Sequence, residues 1–417
     1  MTLSGFRKAG HWPTLLAAFL YFDISFMVWV LLGPLGPFLG ESLHLSATQK
    51  GFLVSVPLLA GAFFRPLLGA LADTIGGRRT GLLGLVITLV PLALGFTVAR
   101  SLEHLFIMGI LLGVAGASFA VALPLASRWY PPEYQGLAMG IAGAGNSGTV
   151  LATLFMPRIA SAFGWEKAFG IAMAPVAIVL VLFFLLAKDA PVPLRRNRWA
   201  DYVALFRESD TAWFCGFYAV TFGGFVGLAS FLTVFFVDQY HLSKVSAGDF
   251  TTLTVIAGSA LRPLGGWVAD RTGGYKVLLG VYLAVATAAG VLSTLPVLTI
   301  ATSLLILIMG LLGIGNGAIF QMVPQRFSRQ VGIMTGLVGA AGGIGGFFLP
   351  SLLGGLRDVT GSYGTGIAVF ACLTAGAFAT LLLLGPVWMR LWPSTAVDRA
   401  GLFSWKDRAT VRTVSSV

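Results

Sequence analysis

The sequence predicts an all-α integral membrane fold of twelve transmembrane helices, arranged as two pseudo-symmetric six-helix bundles. Three observations carry that expectation: the apolar bulk of the chain, a motif that returns at a constant offset, and the sidedness of the positive charge. Of the 417 residues, 57% are hydrophobic and only 10% are charged, and the mean hydropathy is +0.88. A soluble domain of this size has too little interior to hide so much apolar surface, so lipid must be the solvent for most of it. In hydrocarbon the backbone has to satisfy its own polar groups, which leaves helices or a closed barrel. Unbroken apolar runs such as Ile171 to Ala187 lack the alternation of a barrel strand, which selects helices.

A span needs roughly 20 mostly apolar residues, and such runs fall at 13–39, 48–73, 80–98, 102–127, 136–163, 168–187, 211–237, 247–270, 276–295, 300–323, 331–356 and 364–389. The first follows Arg7 and Lys8 but is too long for a cleavable signal core and has no clear small-residue cleavage site, so it is read as a span. The longest polar stretch follows the sixth span. It divides the chain into a bundle at 1–187, a cytoplasmic linker at 188–210, a second bundle at 211–389 and a tail at 390–417. An internal repeat supports the division. Residues 65–77 (RPLLGALADTIGG) return as 262–274 (RPLGGWVADRTGG), with eight of thirteen positions identical at an offset of 197. A looser match joins Gly136, Gly140 and Gly143 to Gly332, Gly336 and Gly339; small residues of this kind let helices approach closely in lipid.

The formal net charge is +11, which could suggest nucleic acid until its distribution is read. With both termini inside, 19 of the 27 lysines and arginines fall in cytoplasmic segments and five in outer loops, while Arg65, Arg158 and Arg262 lie within spans. The positive-inside rule therefore sets the orientation, in the cell's inner membrane, and no nucleic-acid partner is implied. Cys215 and Cys372 lie in apolar segments, and the four histidines fall at span ends or in loops; neither set forms a disulfide framework or a metal site. No spacing suggests a nucleophile with its base or a nucleotide loop, so an enzyme, a cofactor and an ATP-driven pump are not expected.

An ionisable side chain in hydrocarbon costs at least ~2.5–3.5 kcal/mol and calls for a reason. Arg65 and Arg262 each precede an aspartate, Asp73 and Asp270, by eight residues, which puts them roughly 12 Å inside the membrane at matching depths. Two guanidinium groups converging on one cavity make an anion site, because each offers a planar fork of donors and neither deprotonates. Asp23, about ten residues into the first span, is the only deep acid. It is either a proton carrier or a carboxylate held permanently by a partner. Arg158, near the outer end of the fifth span, is expected to snorkel.

Six plus six spans related by a repeat is the architecture of the major facilitator superfamily, with cargo held near the midplane. The stretch from Gly69 to Arg79 resembles that superfamily's cytoplasmic loop signature, in which Asp73, Arg78, Arg79 and, by repeat, Asp270 would latch helices. Three glycine-rich stretches, 140–148 (GIAGAGNSG), 313–324 (GIGNGAIFQMVP) and 339–350 (GAAGGIGGFFLP), together with 21–29 (YFDISFMVW), resemble the nitrate/nitrite porters of that superfamily. The resemblance implies that Arg65 and Arg262 bind the anion, that Tyr218 and Asn146 contact it, and that Phe119 and Phe222 flank it. Nitrate is planar and weakly hydrated, so aromatic walls and a few donors can replace its water shell. Asp23 makes the chain similar to the proton-coupled importers. Proton symport is expected for a protein acting as a monomer, with nitrate/nitrite exchange, or transport of an organic phosphate or dicarboxylate, as alternatives. Against an inside-negative potential, nitrate influx costs about 2.3 kcal/mol per 100 mV, which protons would offset.

Overall fold

A computed structural model describes residues 3–191, 204–205, 207–327 and 330–402. Most of the linker, with Arg195, Arg196 and Arg198, lies outside the described residues, as do Arg329 and the end of the tail with Lys406, Arg408 and Arg412. Span 1 comprises Trp12–Trp29 and Leu32–Ser42. Span 2 is Ala47–Ile75, started by a Ser46/Gln49 capping box, and span 3 is Gly77–Thr97. Span 4 comprises Leu102–Gly116 and Phe119–Ser127. Span 5 comprises Pro132–Gly143, a 3-10 turn at Ala144–Ser147, and Gly148–Phe163; span 6 is Trp165–Leu186. The second six run without a break: Ser209–Tyr240, Lys244–Thr272, Gly274–Leu292, Leu298–Arg326, Val331–Thr360 and Tyr363–Leu391. No strand occurs among the described residues.

Eleven of these spans are long and apolar enough to cross a membrane. Span 8, Lys244–Thr272, matches them in length but carries Lys244, Asp249, Arg262, Asp270 and Arg271. Lys244, Asp249 and Arg262 meet polar partners within the protein, while Asp270 and Arg271 are exposed at the end carrying the termini. Large apolar side chains such as Ile178, Leu383 and Leu185 stand more than 60% exposed on the outside. That exposed belt has no solvent but lipid acyl chains.

Span 11 packs along span 2 of the first half and span 7 of its own, so it forms part of the seam between halves. At the end away from the termini the seam is shut. A Cβ at Gly354 would overlap the Ala47 carbonyl, and one at Gly51 would overlap that of Pro350. Polar groups bridge the halves there: Lys50 meets Asp238 at 2.5 Å, Ser55 meets Ser351 at 2.9 Å, and Lys244 pairs with Glu41. Asp358 accepts from the amides of Ala47 and Thr48 at 3.2 and 2.8 Å. Arg158, expected to snorkel, is partly exposed and pairs with Asp249 of span 8 at 2.7 Å.

At the end carrying the termini the seam gapes. A Cβ built at Gly140, Gly143, Gly332 or Gly336 would meet nothing within 4 Å, so these glycines border open space. The molecule is thus closed on one side and open on the other. Gly354→Leu should force the closed side apart, since overpacking costs roughly 1–3 kcal/mol. In a variant lacking Cys215 and Cys372, thiol labelling of Ser55→Cys by an impermeant reagent should then accelerate about tenfold. An unchanged rate would show that this contact does not hold the seam.

Candidate functional site

Arg65 is 2% exposed, and the breaks in spans 1 and 4 explain how a buried cation is tolerated. The first helix of span 4 ends at Gly116, leaving its last carbonyls without intrahelical partners. The Nε of Arg65 donates to the Gly116 carbonyl at 3.1 Å, at the negative end of that helix dipole. Its Nη1 donates to the carbonyl of Gly339 on span 11, across the seam. Trp29, the last residue before the break in span 1, puts its ring 5.0 Å from the guanidinium carbon. The indole is itself fully buried and donates to the Pro57 carbonyl at 2.6 Å. Phe119, the first residue after the break in span 4, and Phe222 on span 7 lie 5.6 Å away on other sides.

Arg262 approaches the same ring from span 8. Its guanidinium carbon is 5.9 Å from the Phe222 centroid and 5.8 Å from that of Phe320, and its Nη2 donates to the Tyr218 hydroxyl at 3.3 Å. Tyr218 stacks on Phe222 at 5.0 Å with planes 7° apart. Gly342 makes room for that stack; a Cβ there would lie 2.7 Å from both rings. The two repeat-related arginines therefore share one aromatic ring, as the depth of their positions in the sequence leads one to expect. Among the described residues no ion pair reaches either of them, and the Nη1 of Arg262 is buried without a partner. Two positive charges without a carboxylate, with one donor unused, leave a site that an anion would complete.

The space in front of them opens toward the termini in two lobes. One, of about 530 Å³, is lined by Arg262, Asn146, Ser259, Asn316 and Phe320. The other, of about 300 Å³, is lined by Arg65, Asp73, Arg128 and Gly336. Phe119, Leu123, Met139 and Thr335 border both. Asn146 is buried, as is Asn316, and the Oδ1 of each lacks a partner; the Nδ2 of Asn146 reaches Ser259 of the opposite half at 3.5 Å.

Asp23 is absent from the lining of both lobes. Its carboxylate accepts from the Ser147 hydroxyl at 2.6 Å, in the 3-10 turn of span 5. Asp73 pairs with Arg128 at 2.6 Å, while Arg78 donates through Nη2 to the Phe184 carbonyl at 2.8 Å and Arg79 stands exposed beside it. Asp270 differs from Asp73: it is exposed at the mouth of the larger lobe, and no ion pair reaches it among the described residues. At the repeat offset the counterpart of Arg128 is Gln325, and the adjacent Arg326 turns instead to Glu208 and Asp210. Trp29, Phe320, Ser259 and Asn316 join the site without having been singled out from the sequence, and Ser147 lies outside both lobes, against Asp23. The repeat register carried one usable signal, since Asn316 is the position equivalent to Phe119 at the offset of 197.

The sequence profile of the Major Facilitator Superfamily matches residues 16–350. The chain belongs to that superfamily. Within it, the chain groups with nitrate/nitrite transporters, which are not enzymes. The "Nitrite extrusion protein" of Bacillus subtilis (strain 168) is 32% identical over 366 residues, covering 88% of this chain and 91% of the relative. The "Probable nitrate/nitrite transporter NarK2" of Mycobacterium tuberculosis (strain ATCC 25618 / H37Rv) is 34% identical over 378 residues, covering 87% and 94%. The "Probable nitrate/nitrite antiporter NarK1" of Thermus thermophilus is 31% identical over 374 residues, covering 82% and 84%. Among solved structures, the xylose transporter XylE from E. coli superposes with a TM-score of 0.69 at 14% identity, over 88% of this chain and 94% of XylE. A bacterial homologue of the human lysosomal transporter Spinster superposes with a TM-score of 0.68 at 17% identity, over 91% and 98%. Such likenesses show the superfamily fold. The restraint on Arg65 is testable without reference to cargo. A cation–π contact contributes ~0.5–2 kcal/mol, so Trp29→Leu should speed modification of Arg65 by phenylglyoxal several-fold and leave Arg262 unchanged, read by peptide mass spectrometry. Equal rates would mean that the indole does not restrain the guanidinium.

Proposed function

We propose that this superfamily transporter carries nitrate, and nitrite as its close analogue, by alternating access of two six-helix halves, 1–187 and 211–389, and that protons accompany the anion. The observation that carries the reading is the pair of guanidinium groups around Phe222, without a carboxylate partner among the described residues, at the head of a cavity open on one side. A planar anion fits between aromatic faces and accepts from fixed forks of donors, and a weakly hydrated one sheds its water at small cost. The names of the relatives favour nitrate and nitrite over organic phosphates or dicarboxylates.

The excess of lysine and arginine toward the termini supports a cytoplasmic placement for both termini in the inner membrane, so the open cavity faces the cytoplasm. Arg65 and Arg262 bind the anion, Tyr218 and Asn146 contact it, and Phe119 and Phe222 flank it. Asp23 carries the proton. Asp73, with Arg128, Arg78 and Arg79, latches the cytoplasmic ends of the first half. One chain supplies every one of these groups, so a monomer suffices. Nitrate/nitrite exchange stays in view as a second reading because relatives are named for nitrite extrusion and for antiport.

Proteoliposomes separate the two. Under symport, external nitrate acidifies the lumen, and uptake quickens as the outside is made acid. Asp23→Asn should abolish the acidification. Arg65→Lys keeps the charge but loses the fork, a loss of ~1.5–3 kcal/mol, or roughly 10–100-fold in kcat/KM. Nitrate movement that requires lumenal nitrite and leaves the pH unchanged would establish exchange instead. If nitrate does not move and Arg65→Lys matches the wild type, the oxyanion reading fails.

A further inference from the structure

Asp23 is half-buried and lines neither lobe in front of the arginines, which raises the question of how its charge could be felt there. Its carboxylate lies where span 1 crosses the one 3-10 turn in the spans, Ala144–Ser147. The two backbones meet without side chains between them. A Cβ at Gly148 would overlap the Asp23 carbonyl, and one at Gly145 would lie 2.8 Å from the Asp23 nitrogen. The Ser147 hydroxyl donates to the carboxylate at 2.6 Å, while the amide of Gly148, which starts Gly148–Phe163, stays in the turn and donates to its carbonyls. The 3-10 turn of span 5 thus has a carboxylate bonded to it inside the membrane. The equivalent span 11 is a continuous helix, and the position equivalent to Asp23 in span 7 is Val220. The break occurs in the half that has the acid.

The next residue back in the same turn is Asn146, whose Nδ2 reaches Ser259 of the opposite half at 3.5 Å. Ser259 precedes Arg262 by three residues, one helical turn. A continuous line therefore runs from Asp23 through Ser147 and Asn146 to Ser259 and the arginine helix. Other ionisable groups nearby face elsewhere: Arg65 binds the carbonyls of Gly116 and Gly339, and Tyr21 packs against Phe183.

We propose that Ser147 is a positioning residue which transmits the charge state of Asp23 to Asn146, so that a proton on Asp23 is sensed through the 3-10 turn of span 5 and not by contact with the anion. This rests on the reading of Asp23 as the proton carrier. The ionised carboxylate only accepts, and it holds the turn through the Ser147 hydroxyl. When a proton binds a carboxylate oxygen, the charge assistance of that bond is lost and the carboxyl becomes a donor itself. A hydroxyl can reverse and accept from it, which neither a methyl group nor a backbone N–H can do. A short 3-10 segment in a helix is strained hydrogen bonding that can relax, and relaxation moves Asn146 away from Ser259.

Two measurements on the reconstituted full chain test this. The first is hydrogen–deuterium exchange of the peptide spanning the turn, in acid and in alkaline buffer, and it needs no cargo. After correction for the intrinsic pH dependence of amide exchange, protection in the wild type should fall in acid, become independent of pH in Asp23→Asn and Ser147→Ala, and regain its pH dependence in Ser147→Thr. The second is transport. Ser147→Ala should keep nitrate-for-nitrate exchange within about twofold yet lose about tenfold in proton-driven accumulation, with Ser147→Thr restoring it. A turn indifferent to pH in the wild type overturns the proposal. So does a Ser147→Ala variant that retains accumulation, or that loses exchange and accumulation in equal measure. If the wild type exchanges no nitrate, the anion reading falls, and the turn's pH response still decides the role of Ser147.

Discussion

Burying Arg65 in a membrane protein without a carboxylate beside it is the constraint from which much of the surrounding structure follows. A guanidinium at the bilayer centre is unfavourable by several kcal/mol unless its donors and its charge are met. A carboxylate would meet both and would cancel the site. The protein uses weaker partners instead, carbonyls at Gly116 and Gly339 and the faces of Trp29, Phe119 and Phe222. Each stabilises the cation without neutralising it. The carbonyl of Gly116 is free to accept because its helix stops there, and Trp29 and Phe119 stand at the edges of the same breaks. The interruptions in spans 1 and 4 are thus part of how the positive charge is kept both buried and unspent.

This explains why the two halves, alike in their loop motif, differ in their interiors. Arg262 is only half-buried and faces the larger lobe, so water and the Tyr218 hydroxyl can serve it, and spans 7, 10 and 11 remain continuous. The sequence made the twelve spans and the arginine pair legible because both rest on long-range regularities: hydropathy over about 20 residues and a repeat at one offset. The breaks were not legible. Trp29-Val30-Leu31 and Gly116-Ala117-Ser118 carry no proline, and their apolar character reads as helix; only the tertiary demand of Arg65 gives a reason to stop there. Trp29 passed as one aromatic among many for the same cause. Asp270 was read too symmetrically, since its partner position holds Gln325 in place of an arginine.

The closed and open ends of the seam are built from different materials. On the closed side, ion pairs and small-residue contacts join the halves directly. Ion pairs such as Lys50 with Asp238 are partly exposed and individually worth little, with a median near 0–1 kcal/mol. That is a suitable strength for contacts that have to open in each cycle. On the open side, the pairs lie within one half or the other, Asp73 with Arg128 and Arg326 with Asp210. They brace each bundle against itself and put no bond across the gap that would have to be broken for closure. The bond from Arg65 to the Gly339 carbonyl is different, because it crosses the seam at the site itself. On the proposed reading, an anion that takes over that Nη1 donor removes a tie between the halves at the moment of binding.

Coupling by direct contact would require Asp23 to approach the anion, and two negative charges in a low-dielectric site repel strongly. Placing the acid on the far side of a 3-10 turn avoids that repulsion. Under the proposed coupling the turn distinguishes the ionised from the protonated carboxyl through hydrogen-bond direction, without the carboxylate meeting the cargo. The arrangement also gives a physical reason for the glycines on each side of Asn146. At Gly145 and Gly148 the backbone of span 5 lies directly against that of span 1, so a change at the carboxylate is not absorbed by a flexible side chain. Gly140 and Gly143 border open space, so the segment they flank is free to move into it. A helix pinned at one end of a short turn and unconfined at the other converts the loss of one charge into a displacement, and the first polar group displaced is the asparagine that reaches across to the second half.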